Sequence, residues 1–135
     1  MGGAGNGSRE GPVSSAVFNI TFDCLDPSVV SEFWAAVTAY SRAHEAQPGN
    51  DYWVLRPPDG NGPRLVFVTV PARSPTKNPV HLDLVPRDLS QEDEVARLVA
   101  LGASVVDDRR LLDPGGWVVL ADPEGNEFCV EHGGY

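Results

Sequence analysis

From residue 16 to residue 24 the chain reads AVFNITFDC, in which apolar Phe18, Ile20 and Phe22 alternate with polar Asn19, Thr21 and Asp23. A period of two marks a strand with one buried face. An Asp-Pro pair stops it, and SVVSEFWAAVTAY then sets Val30, Phe33, Trp34, Val37 and Tyr40 at helical spacing. That spacing predicts an amphipathic helix opening at Pro27, whose fixed φ and missing N–H suit a first turn. Three strand-like runs follow, AHEAQ, YWVLR and RLVFVTV, with the turn PPDGNGP between the last two. The first half reads βαβββ.

The segment PARSPTKNP can continue neither helix nor sheet and reads as a linker. Beyond it the pattern restarts. VHLDLV is a strand and SQEDEVARLVALG a helix, with Ser90 as its cap and Gly102 as its stop. SVVDDR, WVVLA and EFCVEH are three more strands, so the second half is βαβββ again. Residue-level matches support a repeat. Asn19 stands seven before Asp26 as His81 stands seven before Asp88, and PDGN at 58–61 answers PEGN at 123–126. The expected organisation is a tail at 1–15 and one domain at 16–135, with module one at 16–70, a linker at 71–78 and module two at 79–132. Neither module has core enough to fold alone, so the two should pack together.

Parity then assigns the faces. Phe18, Ile20, Phe22, Leu82, Leu84, Phe128 and Val130 should face the helices, leaving the opposite parity for an inner face. Aligning the two late turns puts Arg64 opposite Glu127 and Val66 opposite Cys129. The expected inner, concave face therefore carries Asn19, Asp23, Arg64, Val66, His81, Asp83, Cys129 and Glu131.

Composition narrows the partners. A formal net charge of −9 on 135 residues argues against nucleic acid and anionic membrane surfaces. No apolar run reaches the ~18 residues of a membrane span, and MGGAGNGSREGPVSS has neither a signal-peptide core nor a myristoylation motif. Two cysteines in strand-like runs make no disulfide framework, which points to a cytoplasmic location.

The paired modules, the histidine heading HLDL, and GWVVLADPEGNEFCVE resemble the vicinal oxygen chelate superfamily, closest to its glyoxalase-like, bleomycin-resistance-type branch. The resemblance covers residues 16 to 132. It implies an α+β fold in which two βαβββ modules form an open, barrel-like mixed sheet around a cavity, with helices on the convex side, commonly as a homodimer. It also implies four matched ligand positions in metal-dependent members, which fall here on Asn19, Val66, His81 and Cys129. Only His81 is a usual ligand type there, and Cys129 stands where a glutamate is expected. No family-type metal, and no other cofactor, is therefore expected. His81, Cys129 and Glu131 together leave a displaced zinc site open.

Without metal, His81 is a paired polar residue of the cavity floor, a hydrogen-bonding partner of a ligand, or a general acid or base. Of Trp53 and Trp117, one residue out of register in matching strands, one should face the cavity; Tyr52 is the repeat partner of Trp117. The functional expectation is binding of a small organic molecule, cationic or aromatic, on an acidic inner rim with an aromatic wall. The alternatives are a metal-independent lyase, isomerase or cyclase using His81 for proton transfer, and a dimerising module without a ligand.

Overall fold

A computed structural model describes residues 13–14, 16–43, 52–72, 78, 80–110 and 115–132. Strand β1 (Asn19–Cys24) leads into helix α1 (Pro27–Thr38), followed by β2 (Ser41–Arg42), β3 (Tyr52–Arg56) and β4 (Arg64–Thr69). The second module repeats the order with β5 (Asp83–Leu84), α2 (Gln91–Leu101), β6 (Ser104–Asp108), β7 (Val118–Ala121) and β8 (Glu127–Val130). Each module forms a mixed four-stranded sheet, ordered β1-β4-β3-β2 and β5-β8-β7-β6, with its first and last strands parallel. This is the expected α+β architecture of tandem βαβββ modules.

Local chemistry sets the helix ends. Asp26 caps α1 through its carboxylate, which accepts from the N–H of Val29, and Pro27 occupies the first turn. Ser90 caps α2 by accepting from the N–H of Asp93, and Gly102 ends that helix at φ 123°, where a side chain would be strained. The acidic first turn of α2, Glu92 to Glu94, complements the helix dipole. From that turn Glu94 holds Arg97, whose guanidinium donates to the carbonyls of Ala36 and Val37 at the end of α1. A side chain of one module thus satisfies orphan carbonyls of the other.

The same sharing holds in the core. One contiguous cluster takes Cys24, Val30, Phe33, Trp34, Leu55, Leu65 and Phe67 from the first module and Val95, Leu98, Val118, Leu120, Phe128 and Val130 from the second. Trp34 sits at its centre, with ring centroids 5.4 Å from Phe22, 5.3 Å from Phe33 and 4.9 Å from Phe128. Its indole N–H donates to Asp122, a buried carboxylate that also accepts from the N–H groups of Glu124 and Asn126 and the Asn126 amide. The motif DPEGNEF therefore carries a satisfied buried charge that joins the modules.

Three boundaries differ from the sequence expectation. The strand expected at AHEAQ begins earlier, at Ser41; the N–H of Ala43 still donates to Val54, and residues 44–47 lie outside the described residues. The strand expected over residues 80–85 is reduced to Asp83–Leu84. There the Asn78 amide accepts from the N–H of Glu127 and donates to its carbonyl, doing with a side chain what strand backbone would do, and Pro86 stops the far end. Phe18 precedes β1, so it is exposed rather than in the core. Of the expected tail and linker, residues 1–12, 15 and 73–77 lie outside the described residues.

Candidate functional site

The repeat alignment is reproduced as strand register. Thr21 pairs with Val66 in the first sheet, and Asp83 pairs with Cys129 in the second. The N–H of Cys129 donates to Leu82 and that of Glu131 to Leu84, which keeps β8 in step beyond the short β5. With Phe128 and Val130 turned into the core, Glu127, Cys129 and Glu131 fall on the other face.

That face forms a cavity of about 410 Å³ lined by His81, Asp83, Trp117, Val119, Glu127, Phe128, Cys129 and Glu131. Five of the expected site residues, His81, Asp83, Trp117, Cys129 and Glu131, are thus brought together by one module. Nδ1 of His81 lies 3.3 Å from Oδ1 of Asp83, both side chains about half exposed, at 49% and 57%. Cys129 is 7% exposed and closes the floor. Its thiol is pushed up to about 11, first by burial and then by the negative charge of Asp83, Glu131 and Glu127. A neutral thiol beneath three carboxylates marks a cavity of negative potential.

The remaining expected residues lie on the other sheet. Arg64 donates through Nε to the side-chain oxygen of Asn19 at 2.9 Å and lies 4.3 Å from the centre of the exposed Phe18 ring. Val66 is buried with Ala43 and Val54 in a small apolar cluster that Val68 flanks, and Asp23 is exposed. None of these four lines the cavity among the described residues. Trp53 is corrected outright: its parity is that of core Leu55, and it packs against the central cluster, whereas Trp117 stands on the cavity wall at 40% exposure. Both cysteines are free, and Cys24 is wholly buried. His44 lies outside the described residues, and His132 is exposed.

The donors present do not fit the metal set that the superfamily implies. Val66 has no donor atom, and the Asn19 oxygen is already engaged by a guanidinium. Of the four matched positions only His81 and Cys129 face a common space.

Sequence reasoning missed Glu124, whose two carboxylate oxygens accept from the N–H groups of Leu25 and Asp26 at the entry to α1. The signal was the matched placing of an Asp-Pro helix start and a PEGN turn, without any means of bringing them together.

The glyoxalase-like domain family model matches residues 19–131. No curated protein sequence matches the chain. Among solved structures, the fosfomycin resistance protein FosX from Mesorhizobium loti is similar with a TM-score of 0.68 at 13% identity, over 90% of this chain and 94% of that one. A glyoxalase/bleomycin resistance protein/dioxygenase family enzyme from Burkholderia phytofirmans PsJN gives 0.67 at 16%, over 87% and 98%. A mutant FosX from Listeria monocytogenes, complexed with Mn(II) and a dihydroxypropylphosphonic acid, gives 0.65 at 14%, over 90% and 92%. At these identities the likeness is one of fold. With the family model spanning both modules and the cavity between β5, β7 and β8, this chain belongs to the glyoxalase-like domain family of the vicinal oxygen chelate superfamily.

Proposed function

We propose that the chain binds a small, positively charged and partly planar organic molecule on the inner face of its second module, without the superfamily's metal set. The observation that carries this reading is the cavity of about 410 Å³ in which Asp83, Glu127 and Glu131 surround a wall that includes Trp117. The volume lies within the range of roughly 300–1,000 Å³ usual for small-molecule sites. Three carboxylates and no lysine or arginine stand among the described lining residues, so a cation is favoured over an anion there. An indole at the rim adds a face on which a planar or cationic group stacks.

The antibiotic-resistance names of two similar structures support a drug-like natural product as the ligand class. The phosphonic acid of the Listeria complex fits this cavity poorly, because its negative charge would meet the same three carboxylates. The test is a thermal-shift screen of cationic aromatic natural products against neutral and anionic analogues. A homodimer belongs to the proposal as the resemblance implies, and light scattering tests it.

A second reading has one observation in its favour. Asp83 beside Nδ1 of His81 holds the imidazole in one orientation, the arrangement in which a histidine serves as general acid or base. On that reading a bound compound is recovered chemically altered, and His81→Ala abolishes conversion while binding persists.

A further inference from the structure

We propose that Asn61 is a site of spontaneous covalent modification, converting to aspartate and isoaspartate through a succinimide closed by the backbone nitrogen of Gly62. The pair lies in the turn PPDGNGP between β3 and β4, and both residues are exposed. Gly60 donates its N–H to the carbonyl of Pro57, and Asn61 donates its N–H to the Asp59 carboxylate at 3.0 Å. The nucleophile is the next nitrogen along. Among the described residues no hydrogen bond engages the N–H of Gly62. Gly62 sits at φ 92° with no atom within 4 Å of where a Cβ would stand, so its nitrogen is unhindered on that side.

The repeat supplies the contrast. Asn126 occupies the matching place in PEGN, yet its amide donates to both oxygens of Asp122 and its N–H to one of them. The residue after it, Glu127, donates its N–H to the Asn78 side chain and opens β8. At Asn126 both the carbon under attack and the attacking nitrogen are therefore held, and reaction requires that part of the fold to open first. At Asn61 no such opening is needed.

The chemistry uses nothing but the chain and water. A C–N bond forms between the Gly62 nitrogen and Cγ of Asn61, and the side-chain amide leaves as ammonia, taking the Gly62 N–H proton with it. Water then opens the five-membered ring at either carbonyl, giving aspartate or, with the main chain routed through Cγ, isoaspartate. Either product adds a carboxylate to a chain whose net charge is already −9. The Asp59 carboxyl is held below its ordinary value first by the N–H of Asn61, so it is ionised at neutral pH and repels the new charge. The isoaspartate also lengthens the backbone by one carbon three residues before Arg64, the residue of β4 that pairs with Asn19.

The experiment is incubation of the full-length folded protein at mildly alkaline pH, with peptide mapping and fragmentation that assigns each modified position. Asn61 should gain about 1 Da, preceded by a succinimide about 17 Da lighter than the starting residue. An isoaspartate-specific carboxyl methyltransferase should label the product. In the folded protein Asn61 should react within about 3-fold of the rate in a free peptide spanning residues 57–64, and about 10-fold or more faster than Asn126. Asn61→Gln, whose longer side chain closes the ring poorly, should abolish the gain at that position. Mapping also keeps apart Asn6–Gly7, the other Asn-Gly pair, which lies outside the described residues. Reaction in the folded protein about 10-fold slower than in the peptide, or conversion of Asn126 at an equal rate, would overturn the proposal. So would an undiminished gain at position 61 in Asn61→Gln.

Discussion

The indole N–H of Trp34 donates to the carboxylate of Asp122 over 3.0 Å, a buried hydrogen bond between residues 88 positions apart that ties the first helix to the last turn. Around that bond the aromatic cluster of Trp34, Phe33 and Phe128 joins the two modules into one core. The cavity depends on it, because β8 carries Phe128 on one face and Cys129 on the other.

Trp34→Phe keeps most of the ring volume but removes one donor from a buried charge, so a loss of about 1–3 kcal/mol is expected. Asp122→Ala also strands the N–H groups of Glu124 and Asn126 and should cost more than Trp34→Phe. Urea denaturation of both variants checks the order. Equal stability of Trp34→Phe and wild type would show that the bond contributes nothing.

Glu124 reaches across the modules to cap two backbone N–H groups before α1. Glu124→Ala should cost about 0.5–2 kcal/mol, the usual range for a lost cap. Amide hydrogen exchange should rise first at Leu25 and Asp26, which localises the effect.

Cys24 supplies a pH dependence. Burial, followed by the charges of Glu124, Asp122, Asp23 and Asp26, pushes its thiol from the ordinary 9.0 up to about 12. In the unfolded chain the thiol ionises first, so the unfolded state holds fewer protons above pH 9 and stability falls as pH rises. This contribution is complete below pH 9 and is lost as the pH passes through about 12. Unfolding free energies measured from pH 8 upward should decline less steeply in Cys24→Ala, while a slope unaltered by the substitution would argue against the shift.

Much of the fold was legible because it rests on local periodicity. The alternation in NITFDC, the helical spacing of Val30, Phe33, Trp34 and Val37, and the caps Ser90 and Gly102 are short-range facts. The matched turns aligned Val66 with Cys129, and the structure gives the two equivalent places in their sheets, Val66 beside Thr21 and Cys129 beside Asp83. The site was only half legible for a related reason. Parity tells which residues share a face but not that the two inner faces diverge, one closed by Val54 and Val66 and the other acidic around Cys129. Trp53 and Trp117 differ by a single register step, which sends one to the core and the other to the cavity wall. Contacts such as Trp34 to Asp122 depend on how the modules pack, which no local pattern encodes.

Within the cavity the residues should divide by charge and by shape. Trp117→Ala should weaken binding of a cationic aromatic ligand by about 0.5–2 kcal/mol, the worth of a cation over an aromatic face. Asp83→Asn and Glu131→Gln should weaken a cation and leave a neutral isostere almost unaffected. Calorimetric titration of matched charged and neutral ligands separates the two effects.

The central claim, that the inner face of the second module selects positive charge, is tested most directly by thermal shift with one planar scaffold in cationic, neutral and anionic forms. The cationic form should stabilise the wild type, by about 2.7 kcal/mol at 100 times its dissociation constant, and should lose that effect in the Asp83→Asn, Glu131→Gln double variant. Equal or greater stabilisation by the anionic form, or a cation effect that persists in the double variant, would contradict it.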